Sequence, residues 1–298
     1  MLFEDICQAA RLAGEILLAR QADLRRIQVE RKGTNDLVTS VDREAEEAIV
    51  DYLEERWPGV PFLAEESDLR KTAARTRFII DPLDGTTNYV HGYRCFAVSI
   101  AFQSDGRIQA GAVLDPGRDE LFCAVAGKGA WMETAALKRA RPSASAAARR
   151  PVGSTEAVHD ACNHQIGQKV LSVAPVTQLS QALLLTGFPF RRLAELGAYM
   201  GEFMRLLASC QGVRRDGSAA LDLCAVAAGR ADGFWENGLA PWDVAAGSLL
   251  IQEAGGVVTD RSCGPNWLED VEIVAAAPGI HAAIIEVLAG ASPPNRTV

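Results

Sequence analysis

The chain has 298 residues and a formal net charge of −8, with 48% hydrophobic and 23% charged residues. That is enough apolar material for a sizeable core in one large unit or two ordinary ones. The acidic balance disfavours direct nucleic-acid binding, which depends on many Lys and Arg facing phosphates, but a phosphorylated substrate stays open because bound divalent ions reverse the local field.

Near the start, Phe3, Ile6, Cys7, Ala10, Ala13, Ile16 and Leu17 recur at three- and four-residue steps, which predicts an amphipathic helix. Glu4, Asp5, Arg11, Glu15 and Arg20 interrupt it too often for a secretory signal or a membrane span. A second helix is predicted from Ser40 to just before Pro58 and Gly59, burying Ala45, Ala48, Ile49 and Leu53. It places Asp42 in its first turn, where the helix dipole favours a carboxylate. Phe62-Leu63-Ala64 reads as a short strand that delivers Glu65 and Glu66, and Arg77-Phe78-Ile79-Ile80 as a buried strand stopped by Asp81-Pro82. From Cys95 to Val125, three apolar runs are separated by Ser104-Asp105-Gly106 and Asp115-Pro116-Gly117, the pattern of antiparallel hairpins.

Residues 138–150 are basic and rich in Ala, Ser and Pro, with little to bury; they read as a solvated, flexible excursion rather than an RNA-binding patch. Helices are predicted from Leu193 to Ser209, Ser218 to Ala228, Val244 to Glu253 and near Ile280 to Leu288. Strands are predicted at Gly233-Phe234-Trp235, from Val257 to Thr259 and from Glu272 to Ala275, with 291–298 as a flexible tail. Helices mixed with mostly antiparallel strands, without regular βαβ alternation, indicate a layered α+β fold. The seven cysteines are scattered without a C-x-x-C pair, so neither a zinc cluster nor a disulfide framework is expected, and an odd count with no signal segment points to the cytoplasm.

Chemistry concentrates in Asp81-Pro82-Leu83-Asp84-Gly85-Thr86-Thr87. Two carboxylates with a backbone carbonyl between them supply the hard oxygens magnesium prefers. Gly85 permits close approach of the backbone, and free N–H groups at the following turn suit phosphate oxygens. Taken alone, the heptapeptide also fits an Asx turn with capping threonines, and Trp242-Asp243 after Pro241 fits a helix cap. Several carboxylates arriving from distant segments are what a two-metal phosphatase needs.

The chain resembles the inositol monophosphatase family of metal-dependent sugar phosphatases. The resemblance is carried by Ala64-Glu65-Glu66-Ser67, Ile79-Ile80-Asp81-Pro82-Leu83-Asp84-Gly85-Thr86-Thr87-Asn88 and Gly217-Ser218-Ala219-Ala220-Leu221-Asp222-Leu223. Glu236, Pro241-Trp242-Asp243-Val244-Ala245-Ala246-Gly247 and Glu253-Ala254-Gly255-Gly256 extend it, in order, over nearly the whole chain. It implies an αβαβα sandwich forming one catalytic unit over 1–290, ordinarily a homodimer, with two to three magnesium ions (Mg2+). Glu65, Asp81 and the Leu83 carbonyl would hold the first metal, Asp81, Asp84 and Asp243 the second, and Glu65 would touch a weakly held third. Asp42 would pair with Thr86 to orient the attacking water, making Asp42, Glu65 and Thr86 the catalytic group. Gly85 and Thr86 would offer N–H groups to the phosphate, and Ala219 and Glu236 would contact substrate hydroxyls.

The implied reaction is hydrolysis of a phosphate monoester by metal-activated water. Glu236, seven residues before Asp243, matches the inositol type and puts myo-inositol monophosphate first among substrates. Fructose 1,6-bisphosphate, a 3′-phosphoadenosine nucleotide and histidinol phosphate are the alternatives, and lithium inhibition is expected of the family. The spacing of Asp81 and Asp84 differs from the two-residue spacing of haloacid-dehalogenase phosphatases, which work through an aspartyl-phosphate. Some bacterial members, similar also around Gly187-Phe188-Pro189-Phe190 and Arg214-Arg215, act with RNA polymerase in ribosomal RNA antitermination, a second role the resemblance leaves open. No membrane partner is expected. Two departures stand out: Ala64 replaces the usual Gly before the paired acids, and residues 133–162 look like a surface insertion.

Overall fold

The structure is a computed structural model that describes residues 2–21, 29–33, 36–67, 74–134, 168–269 and 272–290. The basic stretch 138–150, nearly all of the expected insertion and the tail 291–298 lie outside the described residues.

Helices α1 (Leu2–Gln21) and α2 (Ser40–Arg56) lie side by side, with the short hairpin β1 (Val29–Gly33) and β2 (Asp36–Thr39) between them in sequence. Their apolar stripes, including Ile6, Ala13, Leu17, Ala45, Ile49 and Leu53, cover one face of a seven-stranded sheet. Ala48 is half-exposed rather than buried; Glu46 turns inward instead, its carboxylate accepting from the Glu66 N–H at 2.8 Å.

The large sheet runs in the order β3 (Phe62–Ala64), β4 (Arg77–Asp84), β5 (Ala97–Ser104), β6 (Arg107–Asp115), β7 (Glu120–Val125), β8 (Ala130–Thr134) and β9 (Gln168–Val170). All its pairs are antiparallel except β3 with β4. Side chains alternate as the pleat requires: Val98 and Ile100 face the α1–α2 core, while Ala97 and Ala101 face the opposite layer. Between β4 and β5 lies the short helix α3 (Thr86–Val90), fastened to α1 by Tyr89, whose hydroxyl donates to the Leu17 carbonyl at 2.7 Å.

A second sheet takes the order β11 (Gly212–Arg214), β10 (Leu183–Thr186), β12 (Gly233–Asn237), β14 (Glu272–Ala276) and β13 (Val257–Thr259). Here β10 is parallel to both β11 and β12, so the antiparallel expectation holds for the large sheet and only partly for the small one. Helices α5 (Ala219–Ala227) and α6 (Pro241–Glu253) fill the layer between the sheets, and α4 (Leu196–Ser209) and α7 (Pro278–Leu288) cover the outer face of the second. In β14, Ile273 and Ala275 join the inner core while Val274 and Ala276 join the outer one. The layers follow the expected αβαβα order. Among the described residues no helix is long and apolar enough to cross a membrane.

Several boundaries differ from the sequence reading; the helix expected from Leu193 begins at Leu196, after the 3-10 segment Phe190–Glu195. The strand expected to stop at Asp81 continues through Pro82 to Asp84. Helix α6 begins at Pro241, three residues before Val244, because proline suits a first helical turn whose N–H needs no partner. Glu133, expected to open an insertion, belongs to β8, where it meets Arg11 at 2.7 Å and the Gln168 side chain at 3.0 Å. Ala64, the departure before the paired acids, ends β3 fully buried in the α1–α2 core.

Candidate active site

Residues three apart on a regular strand point to opposite faces. Asp81 and Asp84 nevertheless converge, because the β4–β5 ladder shifts register between them: Asp81 pairs with Ser99 and Asp84 with Ala97. Three steps on β4 thus match two on β5, which is a β-bulge that returns Asp84 to the face of Asp81. Pro82, which cannot donate to a ladder, sits in the irregular stretch where no donor is needed. That bulge brings the two acids together.

Asp243 arrives from the inner helical layer. As the third residue of α6 it accepts from the Ala240 N–H at 2.6 Å, which is the capping role expected of it. The start of α6 is held opposite Asp81 by Ser99, the ladder partner of Asp81, whose hydroxyl donates to the Trp242 carbonyl at 3.3 Å. Oxygens of Asp81, Asp84 and Asp243 all lie within 4.8 Å of one another. Glu65, at the end of β3, stands beside this triad and is the strongest single charge acting on Asp81. Asp42, buried in the first turn of α2, accepts from the Thr86 hydroxyl at 3.1 Å, and the same hydroxyl lies 3.1 Å from the Leu83 carbonyl.

The triad is electrostatically uncomfortable on its own. Burial, then Glu65, Asp84 and Asp243, push the Asp81 carboxyl well above its ordinary range. Burial and Asp243 push Asp84 up to about 7, although the Ser218 hydroxyl at 2.6 Å and the Ala220 N–H at 2.8 Å both donate to it. Burial raises Asp243 as well, offset by the Arg191 guanidinium and the Ala240 N–H. One oxygen of Asp81 accepts from the Leu83 N–H at 3.0 Å; the other, Oδ2, is buried, and no donor among the described residues reaches it. Buried polar atoms are rarely left so. A divalent cation with a preference for carboxylate and carbonyl oxygens satisfies that atom and relieves the repulsion, so the donor set fits such a metal.

Gly85, between the triad and α3, has φ +92°, and a Cβ there would lie 2.8 Å from the Cys95 carbonyl oxygen and 3.2 Å from that of Gly217. Only glycine fits. The surrounding loops are tied by Asn88, whose amide donates to the carbonyls of Cys95 at 2.7 Å and Asp216 at 2.9 Å.

A cavity opens from the triad, walled by Asp84, Asp243, Ser218, Ala219, Gly187 and Glu236. Glu236 faces it because alternation along β12 sends Trp235 to the outer core and Glu236 to the inner side. Burial, then Asp243 and Asp84, raise its carboxyl well above the usual range. Of the sequence-predicted residues, Asp81, Asp84 and Asp243 cluster, Arg191 ties Glu65 to Asp243, Ala219 and Glu236 wall the cavity, and Thr86 links Asp42 to the Leu83 carbonyl. Missed were Ser218, Asp222, Arg191 and Arg215. Ser218 is a helix N-cap by its position before Ala219, a signal that was readable. Asp222 lies on the buried floor, and Arg215 is braced 5.8 and 5.2 Å from the ring centres of Phe188 and Phe190. Arg191 reaches Glu65 and Asp243 from a separate segment, a contact no local spacing encodes.

Comparison with known proteins finds relatives along nearly the whole chain. The model of the inositol monophosphatase family matches residues 2–292. An inositol-1-monophosphatase from Mesorhizobium japonicum is 37% identical over 288 residues, covering 96% of each chain. The Nus factor SuhB of Escherichia coli is 38% identical over 279 residues, 93% of this chain and 92% of that one. Among solved structures, the extragenic suppressor protein suhB from Bartonella henselae superposes with a TM-score of 0.81 at 36% identity, covering 97% of this chain and 98% of the other.

Proposed function

The chain belongs to the inositol monophosphatase family of metal-dependent phosphatases, and from that premise we propose that it hydrolyses a phosphate monoester with magnesium, myo-inositol monophosphate foremost. The observation that carries this reading is the convergence of Asp81, Asp84 and Asp243 from a bulged strand and a helix start, with a buried oxygen among them that no donor of the described residues reaches.

In the proposed assignment Asp81, Asp84, Asp243, Glu65 and the Leu83 carbonyl would hold two to three ions. When bound, magnesium supplies water activation and neutralisation of charge for an in-line displacement at phosphorus. Asp42 fixes the Thr86 hydroxyl, and the pair would orient the attacking water. The N–H groups of Gly85 and Thr86 receive phosphate oxygens, which the absent side chain of residue 85 allows to come close. Across the cavity Glu236 accepts a polyol hydroxyl next to Ala219. No side chain is phosphorylated.

A phosphate-release assay across myo-inositol monophosphate, fructose 1,6-bisphosphate, a 3′-phosphoadenosine nucleotide and histidinol phosphate, with and without magnesium, tests this. Magnesium-dependent turnover is expected to be greatest with the inositol ester and to fall about a hundredfold or more in Asp84→Asn. The isosteric amide still accepts from Ser218 and Ala220, so the fold should persist. Full turnover by that variant at saturating magnesium, or a trapped aspartyl-phosphate, would sink the mechanism.

A second reading is favoured by the relatives that carry the name Nus factor, as in Escherichia coli. It is a non-enzymatic partnership with RNA polymerase in antitermination. An exposed apolar stripe supports a protein partner: Leu193, Met200, Met204 (67% exposed) and Leu207 follow one face of α4 and the segment before it. Co-purification with polymerase should survive Asp84→Asn and disappear on Met204→Glu; no association under any condition removes this role.

A further inference from the structure

Arg191 lies on the 3-10 segment Phe190–Glu195, which buries none of its side chains and is broken at Arg192, with φ −134° and ψ 54°. Its Phe190 meets the Phe188 ring edge-on, but no side chain of the segment is buried. Yet its guanidinium spans the candidate metal site: Nη2 is 3.3 Å from Glu65 Oε1 and Nη1 is 3.3 Å from Asp243 Oδ2. Glu65 comes from the end of β3 and Asp243 from the start of α6, so one side chain bridges carboxylates from two layers. A guanidinium facing these two oxygens occupies the approach a divalent ion would take to them, and two cations sharing the same carboxylates repel. The arginine is 40% exposed, so solvent is available to receive it when it swings away.

We propose that Arg191 is a tethered cation that competes with the metal for Glu65 and Asp243, so that metal entry requires the guanidinium to leave. The inference rests on the metal-site reading above. Competition lowers apparent metal affinity by the fraction of molecules in which the arginine is docked. A merely supportive arginine, holding the ligands in place, would have the opposite effect when removed.

Manganese(II) binding, followed by electron paramagnetic resonance on the full chain, separates the two. Arg191→Ala is expected to bind the ion about three- to tenfold more tightly than the wild type, the range a partly exposed ion pair can contribute. Arg191→Lys, with a single-point cation, should fall between them. In the same series the metal-free Arg191→Ala chain should melt earlier than the wild type, while the loaded forms melt together. Equal or weaker binding by Arg191→Ala overturns the proposal. If Asp84→Asn loses affinity in that case, the metal site itself still stands; if the wild type binds no manganese, both readings fall.

Discussion

At residue 187 a hydrogen atom is all that fits, since a Cβ would overlap the carboxylate of Glu236. Glu236 lines the cavity, so its carboxylate would have to shift within it to make way. Gly187→Ala should therefore displace the acceptor for the substrate hydroxyl without touching the metal ligands. We expect KM for the polyol phosphate to rise about tenfold or more, with magnesium affinity unchanged; an unaltered KM would show that Glu236 does not touch substrate. The triad makes a second prediction. Asp84 is raised from 3.8 to about 7 in the folded chain, by burial and then by Asp243, and Asp81 and Asp243 shift the same way. A carboxyl whose folded pKa is raised contributes stability that is complete below its unfolded value and lost as the pH climbs through the folded one. The metal-free protein thus loses stability between about pH 4 and pH 7 on account of this site. Magnesium, which takes the place of those protons, should raise the melting temperature more at about pH 8 than at about pH 6. A rise independent of pH, measured by scanning calorimetry, would mean that the ion binds elsewhere.

Elements differ in how clearly the sequence announces them. The stripes of α1 and α2 and the turns around Asp105 and Pro116 are readable because periodicity and turn residues agree. The bulge is not: Pro82 signals the end of a strand, and nothing local reveals that β5 resumes pairing at Asp84. Strands β10 and β11 have only four and three residues, too few for alternation to register, and they owe their form to the sheet they join. The site was legible as a set of acids but not as a geometry, since Arg191 and Ser218 reach it from other elements. Ser218 shows how an element end and the site share one side chain. Its hydroxyl caps α5 through the Leu221 N–H at 3.3 Å and donates to Asp84 at 2.6 Å. Ser218→Ala removes both, and we expect a loss of about 1–2 kcal/mol, or roughly 2–6 °C in melting temperature. Ser218→Thr, which keeps the hydroxyl, should recover most of it. No change on alanine substitution would mean the cap contributes nothing.

Across the whole molecule the site is a joint between layers. Asp81 and Asp84 belong to the large sheet, Glu236 to the small one and Asp243 to the helices between them. Their relative position depends on how closely that middle layer packs, and two glycines set the spacing. A Cβ on Gly111 of β6 would lie 3.0 Å from the Ala246 Cα, and one on Gly247 of α6 would lie 2.6 Å from the Leu223 Cβ of α5. Gly247→Ala must therefore push α5 and α6 apart, at about 1–3 kcal/mol for overpacking a filled core. Asp243 rides on α6, while Asp84 is hydrogen-bonded to the start of α5. Separating the helices separates the two carboxylates. Melting temperature and magnesium affinity should consequently fall together in Gly247→Ala, in contrast to Gly187→Ala, where the metal is undisturbed. Stability lost with unchanged magnesium affinity would show that the carboxylates are positioned by the bulge and the α6 cap alone. Concerted loss would place the spacing of the middle layer among the determinants of the metal site.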